Sequence, residues 1–126
     1  MFKLHHIDIW INKIEESIKF YELLGFSKIK EIDNKEQNKK IILMELDDLI
    51  LEMKYHYENK CIHNKANCND NKVFGLSVKD IQKSIGHIKS NNLTNEKINI
   101  KEGILGQQYF LIHDPNGILI EIIEEK

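Results

Sequence analysis

Glu52 and Glu121 each stand inside a short apolar run, LILEM at 49–53 and ILIEII at 118–123. In extended chain every second side chain shares a face. Leu49, Leu51 and Met53 then alternate with Ile50 and Glu52, and Ile118, Ile120 and Ile122 alternate with Leu119, Glu121 and Ile123. A carboxylate in such a run is costly to bury without a partner, or it keeps its proton. Two of them facing one cavity call for a cation or a shared proton. His6 supplies an imidazole, on the face of its own strand that also carries Asp8 and Trp10. One imidazole with two carboxylates is a donor set suited to a divalent Zn, Ni, Co, Mn or Fe ion. The plainer reading, which spacing alone puts first, has both glutamates solvated near strand ends and His6 as a satisfied core histidine.

Other groups carry weaker signals. By alternation His5 points away from His6, so one of the two reaches the cavity. His113 precedes a turn and lies either at a cavity mouth or on the surface. His56, Cys61, His63 and Cys68 form a His-x4-Cys-x-His-x4-Cys series, which lacks the close cysteine pair of structural zinc sites. The sequence contains no glycine-rich phosphate loop, no Gly-x-Ser-x-Gly elbow and no nucleophile with an evident base.

The elements that must position these residues come as a repeat. IDIWINKIEESIKFYELLGF at 7–26 aligns without a gap on FGLSVKDIQKSIGHIKSNNL at 74–93, 67 residues further on. Ile9 falls on Leu76, Ile11 on Val78, Ile14 on Ile81, Ser17 on Ser84 and Ile18 on Ile85. Each copy begins with strand alternation and changes to helical spacing. In the first helix Asn12 is the expected N-cap, with Glu15 completing a capping box and Gly25 as the stop. In the second, Asp80 is the cap and Ile81, Ile85 and Ile88 form the apolar stripe.

The back halves match as well. KIILMELDDLILEM at 40–53 reads as two strands joined at Asp47-Asp48, and QYFLIHDPNGILIEII at 108–123 as two joined at Asp114-Pro115-Asn116-Gly117. Proline and Asn-Gly make the second joint a strong turn signal. Residues 28–33 read as one more short strand. The expected fold class is α+β, two tandem βαβββ repeats forming a curved mixed sheet around a cavity with the helices outside. The chain then forms a single domain over 1–126: repeat one at 4–53, a polar linker at 54–72 and repeat two at 72–123.

Bulk composition narrows the function classes. A net charge of −2 with interspersed lysines and glutamates argues against nucleic-acid binding. Hydrophobic residues at 41% and charged residues at 30% suit a folded, soluble chain. No run approaches the ~18 apolar residues that cross a bilayer, and the first ten residues lack a signal-peptide pattern. A cytoplasmic protein without membrane contact, with Cys61 and Cys68 as free thiols, is the expectation.

Taken together, His6-Ile-x-Ile-x-Ile, Ser17-Ile-x-Phe20-Tyr21, Leu24-Gly25-Phe26 and the closing Asp114-Pro115-Asn116-Gly117-x-x-Ile120-Glu121 resemble the glyoxalase/bleomycin-resistance/dioxygenase (vicinal oxygen chelate) superfamily. The resemblance covers nearly the whole chain apart from 54–72. It implies a metal site of glyoxalase I type with a His, Glu, His, Glu pattern, carried over as His6, Glu52 and Glu121. The third position falls on Val73, which cannot ligate, so the implied set is a His/Glu/Glu remnant. Two functions follow as expectations. One is a metal-dependent lyase or isomerase acting on a small vicinal-oxygen substrate, similar to lactoylglutathione lyase, with Glu121 as base and Glu52 as the more permanent ligand. The other is a metal-free, drug-sequestering binding protein with Trp10, Phe110 and the 54–72 segment lining its pocket. A module that only dimerises is the third possibility, and a homodimer is expected in every case.

Overall fold

The computed structural model of the chain describes residues 1–58 and 72–125. Two compact units divide it, Met1–Asp70 and Asn71–Lys126. Cys61, His63 and Cys68 lie outside the described residues, and with them the expectations of free thiols and of a zinc series.

The first unit runs β1 (Ile7–Ile11), α1 (Ile14–Leu23), β2 (Ser27–Asn34), β3 (Lys39–Leu46) and β4 (Leu49–His56). Its four strands lie in the order β1-β4-β3-β2, with β1 parallel to β4 and the other neighbours antiparallel. The second unit repeats the pattern with β5 (Val73–Val78), α2 (Ile81–Ser90), β6 (Lys101–Glu102), β7 (Gln108–His113) and β8 (Leu119–Glu124), in the order β5-β8-β7-β6. Each unit is therefore a βαβββ motif, and the α+β repeat expected from the sequence is the architecture found. β4 continues through His56, so residues 54–56, expected to open the linker, belong to a strand. β6 is reduced to two residues where β2 has eight.

The 67-residue offset holds down to backbone detail. α1 ends with Gly25 at φ 109°, while Gly25 N–H donates to Glu22 O at 3.0 Å and Phe26 N–H to Tyr21 O at 2.9 Å. α2 ends with Asn92 at φ 52°, while Asn92 N–H donates to Lys89 O at 3.2 Å and Leu93 N–H to Ile88 O at 3.0 Å. Both are Schellman closures, with a residue tolerant of left-handed backbone where the helix must stop. Tyr21 and Phe26 supply the apolar contact across the first, their rings 5.4 Å apart.

The helix starts differ. Asp80 caps α2 as expected, accepting from Lys83 N–H at 3.1 Å. In α1 the cap position is Lys13, whose side chain makes no cap hydrogen bond, and Asn12 stands one residue earlier. The expected Asn12–Glu15 capping box is corrected accordingly. Ser17 is fully buried there and donates its hydroxyl back to Lys13 O at 2.6 Å.

Each sheet has one buried side. In the first unit Ile9, Ile11, Ile42, Met44, Leu51 and Met53 are buried together with Ile18, Phe20 and Tyr21 of α1. In the second, Phe74, Phe110, Ile112, Ile120 and Ile122 are buried with Ile81, Ile85 and Ile88 of α2. The opposite side of the first sheet carries half-buried Asp8, Trp10, Ile41, Leu43, Ile50, Glu52 and Lys54, the other half of the period-two pattern. No helix among the described residues is long and apolar enough to cross a membrane.

Candidate metal centre

Parallel pairing of β1 with β4 sets Asp8 directly opposite Glu52 and Trp10 opposite Lys54. Opposed residues in a ladder share a face, so these four side chains project from the same side of the first sheet. His6 lies just before β1 and leans over the pair. Its Nε2 is 3.2 Å from Asp8 Oδ1 and 3.8 Å from Glu52 Oε2. Ligating atoms of His6, Asp8 and Glu52 all fall within 4.8 Å of one another.

The two carboxylates polarise each other. A hydrogen bond with Asp8 is the main cause that raises the Glu52 carboxyl above its ordinary value, with burial and the Asp8 charge adding to it. Asp8 moves the other way, lowered chiefly by the same hydrogen bond and further by Lys54 and His6. Of the two, Glu52 is therefore the one that holds its proton to higher pH. Lys54 Nζ completes the balance at 3.2 Å from Asp8 Oδ2 and 3.6 Å from Glu52 Oε2.

Trp10 borders this group. Lys39 Nζ is 5.5 Å and Lys54 Nζ 5.9 Å from its ring centre, within cation–π range, and the His56 ring lies 6.4 Å away. His56 itself is buried and accepts a hydrogen bond from Glu58 N–H at 3.2 Å. His5 departs from the expected arrangement. The strand begins only at Ile7, so alternation does not reach it, and its Nδ1 lies 2.6 Å from His6 Nδ1.

The second unit has the same framework with fewer polar groups. β5 pairs with β8 so that Gly75 lies opposite Glu121, where the first unit has Asp8 opposite Glu52. Val73, the repeat partner of His6, is 52% exposed and offers no donor atom. Glu121 is half-buried and opposed by Leu111 on β7. His113 is exposed and bonded through Nδ1 to Glu96 Oε1 at 2.9 Å. Phe110 is fully buried and paired with Ile122, on the core side of its sheet, so it packs the interior instead of an open pocket wall.

Of the residues named from sequence, the first sheet therefore brings His6 and Glu52 together and sets Trp10 beside them. Asp8 and Lys54 were the omissions. Asp8 had been placed on the correct face, but its value as a third ligand depends on facing Glu52 across the β1–β4 ladder. A nitrogen and two carboxylate oxygens gathered so closely fit a divalent first-row metal ion. Lys54 is the one group in the cluster that opposes such an ion.

The fold has counterparts among known proteins. The family model described as Glyoxalase/Bleomycin resistance protein/Dioxygenase superfamily matches residues 3–122. No curated protein matches the chain. Among solved structures, a glyoxalase family protein from Enterococcus faecalis superposes with a TM-score of 0.79 at 20% identity, covering 97% of each chain. The trypanothione-dependent glyoxalase I of Leishmania major gives 0.70 at 20% identity, covering 99% of this chain and 88% of that one. A bleomycin-binding protein complexed with bleomycin gives 0.68 at 17% identity, covering both chains completely. At these identities the likeness is one of fold.

Proposed function

Because the chain belongs to the glyoxalase/bleomycin resistance protein/dioxygenase superfamily, we propose that it is a divalent-metal-dependent lyase or isomerase acting on a small substrate with vicinal oxygens. The observation that carries this reading is the convergence of His6, Asp8 and Glu52 within 4.8 Å. These three residues would hold the ion, with Zn, Ni, Co, Mn or Fe as the candidates for their donor types. A bound divalent ion would supply Lewis acidity, polarising the substrate's oxygens and making the adjacent C–H acidic.

The remaining chemistry falls to the chain's own side chains. Glu121, which holds the place of Glu52 in the second unit, is the proposed base that takes the proton α to the carbonyl and a further proposed ligand. A half-buried carboxylate that faces Gly75 across the ladder suits that role better than Glu52, which faces a second carboxylate, Asp8. Trp10 offers an apolar wall for the substrate beside the charged group, and His113 a polar edge on the second sheet. The test is thermal melting with Zn, Ni, Co and Mn for the wild type and for Glu121→Gln. A metal-dependent rise in Tm that Glu121→Gln reduces supports the reading. Absence of any rise removes it.

A second reading has its own observation. The Lys54 ammonium already neutralises the carboxylate pair, which favours a metal-free protein that binds a small molecule against Trp10 and the surrounding apolar residues. In either case a homodimer is proposed. Half-exposed apolar side chains on the open side of the first sheet, Ile41, Leu43 and Ile50 among them, are the kind of surface that a second copy covers. Light scattering at high micromolar concentration should give twice the chain mass, and a monomer mass would exclude it. Absence of nucleic-acid contact and a cytoplasmic location belong to the same proposal.

A further inference from the structure

The group that opposes a metal ion in this site is built into the strand that supplies one of its ligands. Glu52 and Lys54 lie two residues apart on β4, so both project from the same face. Lys54 Nζ reaches Asp8 Oδ2 at 3.2 Å and Glu52 Oε2 at 3.6 Å. Asp8 Oδ1, which is shielded from solvent, and Glu52 Oε2 are also the atoms nearest to His6 Nε2. An ammonium thus touches both carboxylates on which a metal ion would depend. Its side chain is only 23% exposed, so it stays close to the ligands instead of ranging into water. At the same position of the second unit the repeat carries Ile123, two residues after Glu121 and half-buried. The framework therefore folds without a cation there.

We propose that Lys54 is a tethered competitor of the metal ion. It satisfies the Asp8–Glu52 pair while the site is empty and must swing away when a divalent cation binds. This rests on the reading of His6, Asp8 and Glu52 as metal-holding, and it deepens that reading by naming the residue that sets the affinity. A positive charge hydrogen-bonded to one ligand and ion-paired with the other weakens cation binding by direct repulsion and by holding the ligand oxygens. The ammonium has somewhere to go on the same face, because Nζ already lies 5.9 Å from the centre of the Trp10 ring, which receives a cation favourably.

The experiment is a calorimetric titration of the full chain with Zn and with Ni, comparing the wild type with Lys54→Met, Lys54→Gln and Lys54→Arg. Thermal melting of each metal-free variant checks that it is folded. Both neutral variants should bind the ion at least about tenfold more tightly than the wild type, and Lys54→Arg, which keeps the charge, should stay near the wild type. The glutamine variant carries the test if the methionine one does not fold. Equal or weaker binding by the neutral variants overturns the proposal and leaves the metal-site reading standing. Binding by none of the four proteins overturns both. Tight binding by the neutral variants with none by the wild type supports Lys54 as the competitor and overturns the metal-dependent function proposed for the native chain.

Discussion

Asp8 and Glu52 lie in one hydrogen-bonded pair whose members shift in opposite directions, and this gives the protein a distinct pH signature. Glu52 is raised from 4.5, so its contribution to stability is complete below that value and is lost as pH climbs through the raised one. Asp8 is lowered from 3.8, so its contribution is present above 3.8 and lost as pH falls through the lowered value. Glu52→Gln keeps a neutral partner for Asp8 at every pH. Its Tm relative to the wild type should therefore grow more favourable as pH climbs through the raised Glu52 value, as read by melting curves taken upward from pH 4.5. A difference independent of pH would mean that Asp8 does not raise the Glu52 carboxyl. The sequence carried half of this site. Alternation and the repeat were enough to single out His6 and Glu52, because both signals are local or set by the offset. Asp8 as a proposed ligand and Lys54 as its counter-charge depend on the β1–β4 register, a pairing between segments some 40 residues apart, Asp8 with Glu52. A single chain of letters does not encode that register in any local pattern.

Among the elements, the two helices show where local chemistry dictates structure and where it yields. The end of α1 was readable from Gly25, while Asn92, which also tolerates positive φ, closes α2 in the same way without having been singled out. Their starts were readable only in α2, where Asp80 bonds to Lys83 N–H. In α1 the cap shifted to Lys13, with buried Ser17 bonding back to Lys13 O. The extent of β4 was also hidden, because Lys54, Tyr55 and His56 look polar in sequence. They remain extended because β3 supplies Ile41, Lys40 and Lys39 as partners. Gly86 offers a clean test of α2. A Cβ added there meets nothing within 4 Å, on an exposed helical position. Gly86→Ala should stabilise the protein by about 0.5–1 kcal/mol, through helix propensity and reduced freedom of the unfolded chain. Chemical denaturation would measure it, and a loss of stability would show that α2 packs more closely than described.

At the scale of the molecule, the repeat has kept its backbone plan and diverged in its chemistry. Gly75 replaces Asp8, Val73 replaces His6 and Ile123 replaces Lys54, while Glu52 and Glu121 hold the same place in their sheets. The fold was legible because a 67-residue offset preserves every strand–helix junction. The function was less so, because the superfamily plan is compatible with metal chemistry and with simple binding alike. Among the described residues the gathered donors His6, Asp8 and Glu52 belong to the first unit, and the proposed metal binding rests on them. The direct test is bound metal per chain, measured by elemental analysis after loading with Zn or Ni and removal of free ion, for the wild type and Glu52→Gln. The wild type should retain about one ion per chain and Glu52→Gln should lose most of it. A wild type that retains none, or a Glu52→Gln variant that retains as much as the wild type, would contradict the assignment.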